Sequence, residues 1–318
     1  MKAEVGVAVT NRPLKRNWRH HTDSWLLVLA AGICGAPLLL AADPAVLPLH
    51  LRRLVPLHKP LGKPQPGDWL DKHDERGQTY RQYLAGKPIR ATTQRKTISI
   101  QPLGDFTAPQ RKIIDLATKF ERIFFQLPVR VQPDLPLSVI AERARRVHPE
   151  WQVPQVLSTY VLNDVLKPRL PADAVVSIAL TNSDLWPGEG WNFVFGQASL
   201  GDRVGVWSIH RFGDPAESDE AFRITLRRAL RTAVHETGHM FSMAHCTDYE
   251  CVMNGSNNLP EADRQPLALC PICLAKLCHA TAADPQKRFE ELAGFAQEHG
   301  LIEEEKFWRQ SLEALRGG

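Results

Sequence analysis

The sequence has little bias of charge. Its 318 residues carry a formal net charge of +4, and no face or helix reads as a stripe of lysine and arginine. That removes the electrostatic case for a nucleic-acid partner. Cysteine is scarce: six residues are too few for the disulfide framework of a chain this long. No internal repeat is visible. What remains is ordinary for a soluble globular protein, at 43% hydrophobic and 23% charged residues, with length enough for one large domain or two smaller ones. Proline is plentiful at 24, much of it before residue 70, which points to an irregular N-terminal segment.

Only one long apolar run occurs. WLLVLAAGICGAPLLLAA, Trp25 to Ala42, has 18 residues without a charge and follows Arg12, Lys15, Arg16 and Arg19. A basic flank before such a run fits a signal peptide or a single membrane anchor. The length is at the short limit for a span, and Gly32, Gly35 and Pro37 weaken a helix. An exported or membrane-anchored protein is expected, with a cytoplasmic one as the alternative.

Strands and helices alternate, so the class is α/β. The sequence predicts a Pro-rich connection over 44–67, a short helix over 69–85 and a strand at Thr97–Leu103. A helix over 108–126, a strand at 129–131 and helical stretches around 138–147 and 154–168 follow. DAVVSIALT (173–181) is nearly continuous and apolar, the signature of a strand covered on both faces. Residues 192–199 and 204–208 read as a hairpin, a long helix starts near Glu217, and helices are expected over 285–298 and 302–315. The expected organisation is 1–45 as basic region and apolar segment, 46–95 as connection and short helix, 96–283 as the main α/β domain, and 284–318 as C-terminal helices.

The chemistry lies between His235 and Cys273. His235 and His239 are four apart, so a helix would put both imidazoles on one face, and Glu236 beside them can take a proton without binding a metal. His245 is six further on. A continuing helix would carry it about 9 Å along the axis, out of reach. Either the helix stops near Ser242 and the chain turns back, or His245 plays no part in a metal site. Such a turn wants a left-handed residue, which costs a serine roughly 1–2 kcal/mol. Cys246 and Cys251, then Cys270 and Cys273, have the spacing of paired thiolate ligands of tetrahedral zinc. Disulfides or a redox-active CPIC are the alternatives.

Together, HETGHMFSMAHC, Cys251, VMN and CPIC resemble the archaemetzincin pattern within the metzincin clan of zinc peptidases. The resemblance extends to GDWLDKHDERGQTYRQYLAG (67–86), TISIQPLGDF (97–106) and 183–213. It implies a zincin-like α/β fold: a small twisted mixed sheet with an antiparallel edge strand within Asn192–Ser199, an active-site helix, and a zinc-stapled C-terminal segment. It also implies two zinc ions. One would be catalytic on His235, His239 and His245, with Glu236 as general base and Met253 as the Met-turn floor. The other would be structural on Cys246, Cys251, Cys270 and Cys273. Ser242 departs from the pattern, which has glycine there.

Two functions follow. The first is a monomeric zinc metallopeptidase acting on peptides or proteins, with aminopeptidase-like action implied by the resemblance and membrane association expected through residues 25–42. The second is a non-catalytic, zinc-stabilised peptide- or protein-binding module. Zinc stoichiometry separates them: two zincs favour the enzyme, and a single zinc surviving His235→Ala favours the module.

Overall fold

The computed structural model describes residues 8–10 and 47–317. The apolar run 25–42 and Cys34 lie outside the described residues. Among the described residues, no helix is long and apolar enough to cross a membrane.

Among the described residues, nine strands and nine α-helical elements follow one another. The strands are β1 (Ala8–Thr10), β2 (Thr97–Leu103), β3 (Val129–Val131), β4 (Arg145–Val147), β5 (Pro154–Leu157), β6 (Ala174–Thr181), β7 (Asp184–Trp186), β8 (Gly196–Ser199) and β9 (Val204–Ser208). The helices are α1 (Trp69–Lys72), α2 (Tyr80–Ala85), α3 (Ala108–Phe125), α4 (Ser158–Tyr160), α5 (Asp219–Met240), α6 (Leu259–Arg264), α7 (Pro271–Thr281), α8 (Pro285–Glu298) and α9 (Ile302–Arg316).

Six strands form a mixed sheet in the order β1-β8-β9-β6-β2-β3, parallel throughout except for the β8–β9 hairpin. A second sheet, β4-β5-β7, is small. The central strand β6 is buried along its whole length. Ile178 and Leu180 face the main core with α3 and α5, while Ala179 faces a second core with Val161 and Val165. Two covered faces account for the unbroken apolar run in this strand.

α3 begins at a capping box, Thr107 with Gln110, and buries Ile113, Ala117, Phe120 and Phe124. α9 closes the core from outside: Trp308 is fully buried, its ring 6.0 Å from that of Phe120. α5 starts at the N-cap Ser218, with Asp219 and Glu220 suited to the positive end of the helix dipole. It runs beneath β8 and β9 and delivers its last turn to the site.

Three expectations need correction. The single helix over 69–85 is two short helices, because His73 turns extended and Gly77 adopts φ +67° before a new capping box at Thr79 restarts the helix. The stretch 138–147 holds two 3-10 turns and β4, and 154–157 is β5, because these residues pair with each other and with β7. Helical structure then runs on through α4, a π turn and a 3-10 turn to Arg169. Finally, β8 is antiparallel to β9 as expected, but it is not the edge: Ala8–Thr10 pairs outside it in parallel register.

Candidate metal centre

α5 ends at Met240, and Phe241 caps it. His235 and His239 project from the last turns with ring centroids 4.5 Å apart. Ser242 then takes φ +65°, the left-handed turn that the six-residue spacing demands. The chain reverses and returns His245 to the helix, its ring 5.3 Å from His235 and 4.9 Å from His239.

Hydrogen bonds fix the tautomer of each ring. His235 Nδ1 donates to the Val252 carbonyl (2.8 Å), and His239 Nδ1 to the Met243 carbonyl (2.7 Å). His245 Nδ1 donates to the Glu75 carboxylate (2.8 Å). With the proton on Nδ1, each Nε2 presents a lone pair. The Nε2 atoms of His235 and His239 lie 3.0 Å apart, and His245 Nε2 is buried without a partner. Three converging acceptors with no donor between them fit a divalent cation; zinc–nitrogen bonds of roughly 2.0–2.1 Å would place such nitrogens about 3.3 Å apart. One ligand atom from each histidine lies within 4.8 Å of the others. Burial, followed by the neighbouring imidazoles, pushes His239 down to about 3 and His235 well below the usual histidine range. Both rings are thus neutral, as metal ligation requires.

Ser242 carries the strain of its backbone angle with compensation. Its hydroxyl donates to the Leu200 carbonyl (2.8 Å) in the β8–β9 turn and accepts from the Ile89 amide (3.2 Å). A glycine would supply the angle but neither bond.

Glu236 is fully buried, and neither carboxylate oxygen has a hydrogen-bond partner. Burial raises its carboxyl well above the usual range, only partly opposed by Arg231. It fits against β8 only because residue 196 is glycine: a Cβ there would lie 2.5 Å from Glu236 Oε1.

The four cysteines also converge. All are buried and unpaired by disulfides, with ligand sulfurs within 4.8 Å of one another. Cys246 and Cys270 Sγ are 3.7 Å apart. That is far beyond a disulfide bond and matches the ~3.8 Å edge of a tetrahedron built on zinc–sulfur bonds of about 2.3 Å. Backbone amides of Met253 and Cys270 point at Cys251 Sγ, and that of Cys273 at Cys270 Sγ. Cys278 stands apart, half-buried, its thiol pushed up to about 11 by burial.

One turn serves both groups. Cys251 belongs to the thiol cluster, and Val252 orients His235. The Met253 carbonyl accepts from the Cys246 amide (2.9 Å). A Cβ on Gly238 would lie 2.6 Å from Met253 Sδ, so that methionine packs directly under the histidine helix. Asn254 ties the turn together through the Cys251 amide and the Cys246 and Tyr249 carbonyls.

The residues singled out from the sequence thus fall into two adjacent clusters. Those it missed lie in 67–79. Glu75 holds His245, Gln78 accepts from the Ala244 amide (3.3 Å) and donates to the Ser242 carbonyl (3.2 Å), and Trp69 meets His245 edge-on at 5.1 Å. The signal was present in GDWLDKHDERGQT, but no spacing rule links it to a histidine 170 residues away. Of the aromatics between β7 and β8, Phe193 and Phe195 are buried packing residues, while Trp191 stacks on His73 with centroids 6.1 Å apart.

Comparison with known proteins identifies the family. The profile of peptidase family M54 matches residues 150–279. Human archaemetzincin-2 is 33% identical over 268 residues, covering 74% of each chain. Human archaemetzincin-1 is 28% identical over 263 residues, covering 72% of this chain and 52% of that one. The solved structure of an archaemetzincin from Methanopyrus kandleri, 26% identical, covers 60% of this chain and 98% of its own, with a TM-score of 0.47. With a third of the aligned residues identical to archaemetzincin-2 across most of both chains, the protein belongs to the archaemetzincins, peptidase family M54, and is a zinc metallopeptidase.

Proposed function

We propose that His235, His239 and His245 hold a catalytic zinc, that Glu236 is the general base and acid of peptide-bond hydrolysis, and that Cys246, Cys251, Cys270 and Cys273 hold a second, structural zinc. The arrangement is metzincin-like, with Met253 as the apolar floor. The observation that carries the reading is the convergence of three imidazoles whose Nδ1 atoms bond outward and whose Nε2 atoms face one another with no donor between them.

A zinc held there would supply a Lewis acid for the scissile carbonyl and lower the pKa of water towards ~7. Glu236 takes the proton of the attacking water and passes it to the leaving amine. Its burial keeps the proton affinity of the carboxylate high, which suits a group that must hold a proton between two steps. The cysteine cluster fills all four positions of a tetrahedral ion and leaves none for water, so its role is structural. Peptides or proteins are the substrates, with aminopeptidase-like action on short peptides the favoured mode. The protein acts as a monomer, and residues 25–42 serve as an export signal or anchor.

The test is Glu236→Ala beside the wild type in a peptide-library cleavage assay, with zinc counted on both. The variant should keep two zincs and lose hydrolysis. Full turnover by Glu236→Ala would sink the assignment.

A further inference from the structure

Of the three histidines, His245 alone is off the helix. Its position depends on the reversal at Ser242, so something outside α5 must hold it. The segment 67–79 does so at successive points. Glu75 takes His245 Nδ1, with oxygens at 2.8 and 3.1 Å. Gly77, at φ +67°, lies so close to Thr247 that a Cβ would clash with that side chain. Gln78 bonds both Ser242 and Ala244. Trp69 lies edge-on to His245 and against Gly255, where a Cβ would come within 2.5 Å of its ring. These contacts form a strap over the turn that returns His245 to the site.

The three imidazoles are not held alike. His235 and His239 donate to neutral carbonyls close in the chain, whereas His245 donates to a charged carboxylate. A carboxylate behind a ligating imidazole fixes its orientation and raises its basicity, and losing such a partner typically weakens a metal about 10–100-fold. We propose that Glu75 is a positioning residue for the metal: its carboxylate holds the His245 ring with Nε2 facing His235 and His239 and strengthens it as the third zinc ligand. The strap is accordingly part of the metal centre, although it precedes the residues matched by the family profile, 150–279. This inference rests on the three-histidine zinc site proposed above.

The experiment equilibrates the full-length, zinc-loaded protein against a graded series of chelator concentrations and counts zinc per chain. Wild type, Glu75→Ala, Glu75→Gln and Gln78→Ala are compared. Glu75→Ala should release one zinc at roughly 10–100-fold lower chelator than wild type and keep the second. Glu75→Gln, nearly isosteric and still able to accept from Nδ1, should fall between. Gln78→Ala loosens the same strap but leaves the carboxylate on His245, so it should release zinc at chelator concentrations between those of Glu75→Ala and wild type. With cobalt(II) in place of zinc, Glu75→Gln should also shift the visible absorption of the histidine-bound ion, a readout that general loosening of the fold does not move. Two outcomes overturn the proposal: both Glu75 variants retaining two zincs like wild type, or Gln78→Ala losing zinc as readily as Glu75→Ala. A wild type that carries a single zinc, surviving His235→Ala, would instead overturn the underlying site.

Discussion

The carbonyl of Val252 accepts the Nδ1 proton of His235 at 2.8 Å. Val252 is also the residue after Cys251, whose sulfur receives the amides of Met253 and Cys270. One peptide unit therefore joins the thiol cluster to the first histidine. The turn that carries it has no regular secondary structure, and its hydrogen bonds run mainly through Asn254. Its shape depends on whatever holds the four sulfurs together.

That dependence should be one-sided. Cys251→Ser removes a ligand of the proposed structural zinc and should free the turn, so that the Val252 carbonyl no longer fixes His235. Zinc content should fall from two per chain towards zero. His235→Ala removes only a ligand of the proposed catalytic ion, and content should fall from two to one. Metal analysis of the two purified variants checks this; equal losses would mean that the turn keeps its shape without the cysteine-bound ion.

Ser242 allows a second test. Glycine at 242 relieves a left-handed strain of roughly 1–2 kcal/mol. It also deletes two hydrogen bonds worth about 0.5–1.5 kcal/mol each and loosens the unfolded chain. Ser242→Gly should therefore destabilise by about 1 kcal/mol, less than the loss of both bonds alone, and leave hydrolysis near wild type. Ser242→Ala keeps the strain and loses the bonds, so it should cost about 1–3 kcal/mol. Urea denaturation of the zinc-loaded proteins separates the two. A Ser242→Ala variant as stable as wild type would show that the contacts with Leu200 and Ile89 contribute nothing.

The site was legible where its chemistry is local. The four-residue spacing of His235 and His239 specifies a helix face, and the six-residue gap to His245 specifies a reversal at Ser242, which the φ of +65° bears out. Buried strands were legible for the same reason, because β6 needs apolar residues on both faces. The failures came where long-range pairing overrides local preference. Residues 145–147 and 154–157 have a helical pattern but are drawn into a sheet by β7. Glu75 was invisible because a carboxylate 170 residues from its histidine leaves no periodic trace.

Gly196 sets the room for Glu236. Gly196→Ala would place a Cβ 2.5 Å from Oε1 and 2.7 Å from Cδ of a carboxylate that is already fully buried. Glu236 must then rotate or β8 must shift. Because α5 is anchored by its own hydrogen bonds and by His235, the carboxylate should move. Gly196→Ala should bind two zincs like wild type but lose roughly 10²-fold in kcat, the scale of a displaced general base. Undiminished kcat with intact zinc would remove Glu236 from the chemistry or show that β8 yields freely.

Behind the same helix, Glu121 on α3 accepts a hydrogen bond from Thr237 (2.8 Å), and its other oxygen is buried without a partner. Burial raises its carboxyl to about 8, opposed by the Thr237 hydroxyl. The folded protein therefore keeps this proton at neutral pH, while the unfolded chain releases it near the usual value of 4.5. Its contribution to stability is fully present below the unfolded value and is lost as pH rises towards the folded one. The slope is about 1.4 kcal/mol per pH unit across that window. Glu121→Gln removes the titration while keeping an acceptor for Thr237. The variant should match wild type at the acid end of the window and become progressively more stable than it up to pH 8, after which the difference levels off. Denaturation midpoints of both zinc-loaded proteins from pH 5 to 9 check this, since the zinc sites titrate alike in both and cancel in the difference. Parallel curves would mean that Glu121 is already ionised in the folded state.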